Sequence, residues 1–136
     1  MEILYVNFCK ESELDDTVIK IEDENFEVNQ MQEITATELK KRIDAGEDIQ
    51  LIDVRQPDEH DFAKIEGAKL IPLGQIIQRM DEIDQNRETV IHCKMGGRSA
   101  QAINALQRAG FKGKLSNLKG GITAWSDEVD RSVPKY

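Results

Sequence analysis

The sequence is poor in cysteine, proline and aromatic residues: two cysteines, three prolines and 5% aromatics in 136 residues. Two cysteines, Cys9 and Cys93, cannot build a disulfide framework, so a reducing, cytosolic setting is expected. Three prolines and nine glycines exclude a collagenous or low-complexity chain. No apolar run approaches the ~20 residues that a membrane-spanning helix needs. The start, Met1-Glu2-Ile3-Leu4-Tyr5, has neither the basic residues nor the apolar stretch of a secretory signal. There is no Gly-x-Gly-x-x-Gly loop for a nucleotide and no Cys-x-x-Cys pair for zinc, so neither cofactor nor metal is expected. A basic stripe is also missing, which argues against a nucleic-acid partner.

What remains has the balance of a soluble globular protein, with 39% hydrophobic and 32% charged residues. The length suits one domain with a short extension, and such a domain can bury a core without staples. The net charge of −8 is unevenly placed. Residues 1–33 carry ten acids against two bases, whereas 34–136 carry sixteen of each. An acidic N-terminal extension over 1–33 therefore precedes a balanced domain over 34–136. The extension reads as a solvated arm or a docking segment, with β-prone stretches at 17–21 and 25–28 able to form a strand pair.

Within the domain, strand and helix patterns alternate. Thr35 fits a helix N-cap with Glu38 at the third position, and the helix should end at Gly46. Residues 50–54, 69–71, 89–92 and 114–118 read as short buried strands. Pro57 suits a first helical turn. Ile76, Ile77, Met80 and Ile83 have helical spacing. A helix is expected over 99–109, with Ala100, Ile103, Leu106 and Ala109 on its buried face, and another after Gly120-Gly121. The alternation predicts an α/β fold with a parallel sheet covered on both faces.

The chemistry concentrates in Thr89-Val90-Ile91-His92-Cys93-Lys94-Met95-Gly96-Gly97-Arg98-Ser99. This is strand, loop, helix, which puts Cys93 at the carboxyl end of a strand, where open α/β sheets bind ligands. A loop curling before a helix aims several amides at one point, and the helix N-terminus adds partial positive charge. Lys94 and Arg98 add full charges. Together these lower a thiol pKa and make Cys93 a nucleophile at the centre of an anion cradle formed by Lys94, Met95, Gly96, Gly97 and Arg98. Asp53 and Arg55 read either as a brace for this loop or as a purely structural ion pair. His92 should point away from the Cys93 side and serve packing, His60 should be an exposed helix residue, and Cys9 and Trp125 should pack.

Four landmarks now recur in order: Leu51 to Arg55; Glu59 through Ile65 with Gly67, Ala68 and Pro72; Ile91 to Ser99; and Leu118, Gly120, Gly121, Ile122 and Trp125. With them the chain resembles the rhodanese-like sulfurtransferase domain over roughly 34–136, with Lys64 standing where many members carry histidine. The resemblance implies about five parallel strands with helices on both faces and a persulfide carried on Cys93. Tyr5 to Cys9 and Val133-Pro134-Lys135-Tyr136 further resemble the rhodanese part of adenylyltransferase–sulfurtransferase fusions. That likeness implies an excised fusion domain whose partners are a ubiquitin-like sulfur carrier and an adenylyltransferase domain, in molybdopterin or thiamine synthesis or tRNA thiolation. The sulfur donor would be thiosulfate or a cysteine desulfurase persulfide. Two alternatives stand beside it. One is a binding module of the same fold without catalysis. The other is a cysteine phosphatase or arsenate reductase, against which the four residues between Cys93 and Arg98 argue, since phosphatases resemble a five-residue loop.

Overall fold

The computed structural model describes residues 31–136. The strand pair expected in the acidic segment, and Cys9, lie outside them. Five strands form one sheet: β1 (Glu33–Ile34), β2 (Ile49–Asp53), β3 (Lys69–Leu70), β4 (Glu88–His92) and β5 (Leu115–Leu118). Their spatial order is β1-β5-β4-β2-β3, and every pairing is parallel. Parallel neighbours need crossovers, and α1 (Ala36–Asp44), α2 (Pro57–Phe62) and α3 (Gly97–Arg108) lie in three of them, whereas α4 (Gly121–Glu128) follows the last strand.

The central strands β2, β4 and β5 are buried over most of their length because both faces are covered. Leu51, Val90 and Leu118 point to one side, into a cluster with Leu39 of α1 and Ile122 and Trp125 of α4. Ile52 and Ile91 alternate to the other side, which is covered by α3; both are 1% exposed or less. Each fully buried side chain of this kind contributes about 1.5–3 kcal/mol. Trp125 packs in the core as its sequence position suggested.

The helix starts follow local chemistry. Thr35 caps α1 by accepting from the Glu38 amide at 3.1 Å. In α2, Pro57 occupies the first turn, and Glu59 reaches back to accept from the Gln56 amide at 3.1 Å. Two expectations need correction. Residues 73–83 form no α-helix but two 3-10 turns, Leu73–Gln75 and Met80–Glu82. Pro72 and Gly74 disfavour a regular helix, and the tighter winding still buries Ile76 and Ile83, each 2% exposed. In α3 the buried stripe is Ser99, Ala102, Ile103 and Leu106, at i, i+3, i+4 and i+7; Ala100 is half-buried at its edge, and Ala109 is the exposed C-cap.

Candidate functional site

Cys93 follows directly on β4 at the carboxyl end of the sheet and is 1% exposed. The Gly96 amide donates to its Sγ at 3.0 Å, and the Ser99 hydroxyl lies 3.3 Å from it. Burial pushes the Cys93 thiol up; the Ser99 hydroxyl and the amides of Ser99, Gly96 and Met95 more than offset this and leave it below the ordinary thiol range. Gly96 caps α3 at φ 121°, a conformation that a side chain would strain. The same turn brings its amide onto the sulfur.

The loop is clamped from outside by two elements. From β5, Asn117 donates through Nδ2 to the Gly96 carbonyl at 3.1 Å and accepts from Ser99 Oγ at 2.6 Å. From α4, the amides of Ile122 and Thr123 donate to the carbonyls of Cys93 and Lys94 at 3.0 and 3.2 Å. Gly121 makes this docking possible. Its φ is 59°, and a Cβ there would lie 2.6 Å from the Cys93 carbonyl oxygen and 2.4 Å from that of Lys94.

The loop's charged residues are engaged. Arg98, the second residue of α3, makes two bonds to the Glu59 carboxylate at 2.7 and 2.9 Å. The Arg98 guanidinium, with the Tyr136 hydroxyl and the Gln56 amide, holds the Glu59 carboxyl down at about 2, against the smaller cost of burial. Lys94 places Nζ 4.7 Å from the centre of the Tyr136 ring, a cation–π contact. Phe62 meets the same ring edge-on at 5.9 Å between centroids. Met95 is 66% exposed and contributes its amide, not its side chain, to the cradle. Gly97 opens α3.

Asp53 and Arg55 form a fully buried bidentate pair at 2.9 and 2.7 Å. All five N–H groups of the Arg55 guanidinium find acceptors: Asp53, the Ala63 and Glu59 carbonyls and the Tyr136 hydroxyl. The pair thus anchors α2, and α2 presents Glu59 to Arg98. His60 differs from expectation. It lies on α2, but its side chain is only 16% exposed, because Nδ1 sits 2.8 Å from Asp53 Oδ2. Residues that the sequence did not single out as site residues are Glu59, Ser99, Asn117 and Tyr136. A polar pair inside the apolar run Leu115-Ser116-Asn117-Leu118 was the available signal for Asn117.

His92 faces away from Cys93 Sγ, fully buried, with Nδ1 3.3 Å from the Cys93 carbonyl oxygen. Its Nε2 has no protein partner among the described residues. Burial drives its pKa from 6.5 to about 4, so the folded protein holds it neutral. The unfolded chain then binds one more proton between these values, and acid favours unfolding. The contribution is complete above pH 6.5 and is lost as pH falls toward 4, roughly 3 kcal/mol in all. Urea unfolding at intervals across this window should show that slope, and His92→Gln should remove most of it. An equal slope in the variant would contradict the assignment.

A parallel five-stranded sheet with an amide-cradled cysteine at the end of its middle strand defines an α/β domain with a buried thiol at its ligand-binding edge. The family model for the rhodanese-like domain matches residues 35–128, and the chain belongs to that family. It is 40% identical over 105 residues to the "Probable adenylyltransferase/sulfurtransferase MoeZ" of Mycobacterium tuberculosis. That match takes in 76% of this chain but 26% of the relative, so the chain spans about a quarter of that protein. A protein of Allochromatium vinosum named "Sulfurtransferase" is 40% identical over 96 residues, 71% of this chain and 89% of its own. Among solved structures, a rhodanese-like domain protein from Staphylococcus aureus superposes with a TM-score of 0.67 at 32% identity, covering 78% of this chain and 99% of that one. The relatives support sulfur transfer as the family chemistry. No helix among the described residues is long and apolar enough to cross a membrane.

Proposed function

We propose that the domain is a sulfurtransferase that accepts sulfane sulfur on Cys93 and passes it to the activated carboxyl end of a ubiquitin-like sulfur carrier. The observation that carries this is the seat of Cys93 Sγ: 3.0 Å from the Gly96 amide, 3.3 Å from Ser99, and beside the amides of Met95 and Ser99. Such a cradle stabilises a thiolate and, one atom further out, a persulfide anion. The thiolate attacks the outer sulfur of thiosulfate or of a donor persulfide. An S–S bond forms at Cys93, and the donor's S–S bond breaks with its electrons leaving on sulfite or the donor thiolate. The terminal sulfur then adds to the carbonyl of the carrier's acyl adenylate, and AMP leaves. A second thiol attacks Cys93 Sγ and releases the carrier as a thiocarboxylate, leaving Cys93 in a disulfide for reduction. The short loop between Cys93 and Arg98, with Arg98 already paired to Glu59, suits a sulfur atom better than a phosphate.

The role of the carrier is tested by mixing persulfidated domain with an adenylated sulfur carrier and a thiol, then weighing the carrier. A thiocarboxylate that needs Cys93 supports the reading. An unchanged carrier, alongside thiocyanate formation from cyanide, would retain the sulfurtransferase and discard this acceptor.

A further inference from the structure

The Ser99 hydroxyl has one hydrogen and two neighbours competing for it. Asn117 Oδ1 lies 2.6 Å away and Cys93 Sγ 3.3 Å away. The direction of the Asn117 carboxamide is fixed independently: Nδ2 donates to the Gly96 carbonyl at 3.1 Å, so Oδ1 must face Ser99. Reversing the amide would set oxygen against oxygen at Gly96 and N–H against the Ser99 hydrogen. We infer that Asn117 is a positioning residue that competes with Cys93 Sγ for the Ser99 hydrogen and so sets how readily the thiolate forms. This rests on Cys93 being the reacting group of the proposed function.

The competition follows the reaction. In the thiol, Cys93 S–H donates to Ser99, and Ser99 donates to Asn117. When Sγ is anionic, a charge-assisted bond outweighs a neutral one, and the hydrogen turns from Oδ1 to Sγ. In the persulfide the negative charge sits on the outer sulfur, Sγ is neutral, and the hydrogen returns to Asn117. When cyanide takes the outer sulfur, or when a thiol reduces the disulfide that transfer to the carrier leaves on Cys93, Sγ departs as a thiolate and the hydroxyl swings back to it. Ser99 thereby stabilises the leaving group, and Asn117 holds its hydrogen between turnovers. No proton leaves the trio in this exchange except the one that Cys93 itself loses.

Asn117 reaches this position from β5 because its side chain shares a sheet face with Ile91, its register partner, and hence with Cys93 two residues on. The charged groups around this end of the sheet include Lys94 on the loop, Arg98 on α3 with Glu59 on α2, the Asp53–Arg55–His60 cluster, Glu33 of β1 as the register partner of Asn117, and exposed Lys119 just past β5. His92 on β4 faces the opposite side. None of these is altered by a change at position 117.

Two near-isosteric variants predict opposite signs. Asn117→Leu removes the competing acceptor, frees the Ser99 hydrogen for Sγ and should give a roughly tenfold larger thiolate fraction below the titration midpoint. Asn117→Asp supplies a stronger acceptor and a negative charge, and should give a roughly tenfold smaller one. Both lose the bond to the Gly96 carbonyl, so that loss cannot produce the difference. The readout is the ultraviolet absorbance of the thiolate against pH, each variant referenced to itself carrying Cys93→Ser. This titration needs no sulfur donor, so it stands or falls apart from the transfer reaction. In a Ser99→Ala background the effect of Asn117→Leu should vanish. Shifts of the same sign in both variants, or an unchanged effect of Asn117→Leu without the Ser99 hydroxyl, would overturn the inference. Should Asn117→Leu fail to fold, the sign for Asn117→Asp decides.

Discussion

Gly121→Ala is expected to cut sulfur transfer by at least ~100-fold and to destabilise the domain by about 2–4 kcal/mol. The reason is backbone on backbone. The new Cβ would lie 2.4 Å from the Lys94 carbonyl oxygen and 2.6 Å from that of Cys93, where no flexible side chain can give way. The φ of 59° adds strain for any residue with a side chain. Relief requires the start of α4 to withdraw, which breaks the bonds from the Ile122 and Thr123 amides to those two carbonyls. The loop that cradles Sγ then loses its support, and a small misplacement of a nucleophile costs about two orders of magnitude in rate. Turnover of thiosulfate and cyanide, measured beside urea unfolding, reads both effects. Gly74→Ala is the control, since a Cβ at Gly74 meets nothing within 4 Å. Equal behaviour of the two variants would refute the clamping role of α4.

Arg55→Met carries the second large effect, a loss of about 3–5 kcal/mol in stability. The substitution leaves the Asp53 carboxylate buried with His60 as its remaining side-chain partner, and strips the Ala63 and Glu59 carbonyls and the Tyr136 hydroxyl of a donor. Replacing both members, Asp53→Leu with Arg55→Met, should recover at least half of the loss, because the uncompensated charge is then gone. Chemical denaturation of the single and double variants measures this. A single-variant cost below about 1 kcal/mol would mean that the pair does not anchor α2.

Much of this architecture was legible from the residues. Thr35 announced its helix through the cap, and the apolar runs at Leu51 and Val90 announced buried strands. The order strand, Cys93, glycines, helix announced the cradle. These signals are local, and local chemistry decides them. The missing parts depend on contacts between distant segments. Glu59 and Arg98 lie 39 positions apart, and nothing in either stretch names the other. Tyr136 joins Arg55 and Glu59 from 81 and 77 positions away. His60 looked exposed because its helix is short and polar, yet Asp53 draws its ring inward. The spacing of Ile76, Ile77, Met80 and Ile83 suggested a regular helix, but two anchors at Ile76 and Ile83 satisfy the core equally well through 3-10 turns. In the sequence Lys94 and Arg98 add full charges to the loop. Both also have tertiary partners, so the hydrogen bonds to Sγ come from backbone amides and the Ser99 hydroxyl while Arg98 acts on Cys93 through its charge.

The most direct test of the central claim is the intact mass of the reduced protein before and after thiosulfate or a persulfide donor, with Cys93→Ser beside it. A gain of one sulfur atom is expected, absent in Cys93→Ser and reversed by cyanide with release of thiocyanate. The cyanide step separates a persulfide from two added oxygens of nearly equal mass. No gain from either donor, or a gain that persists in Cys93→Ser, would contradict that claim.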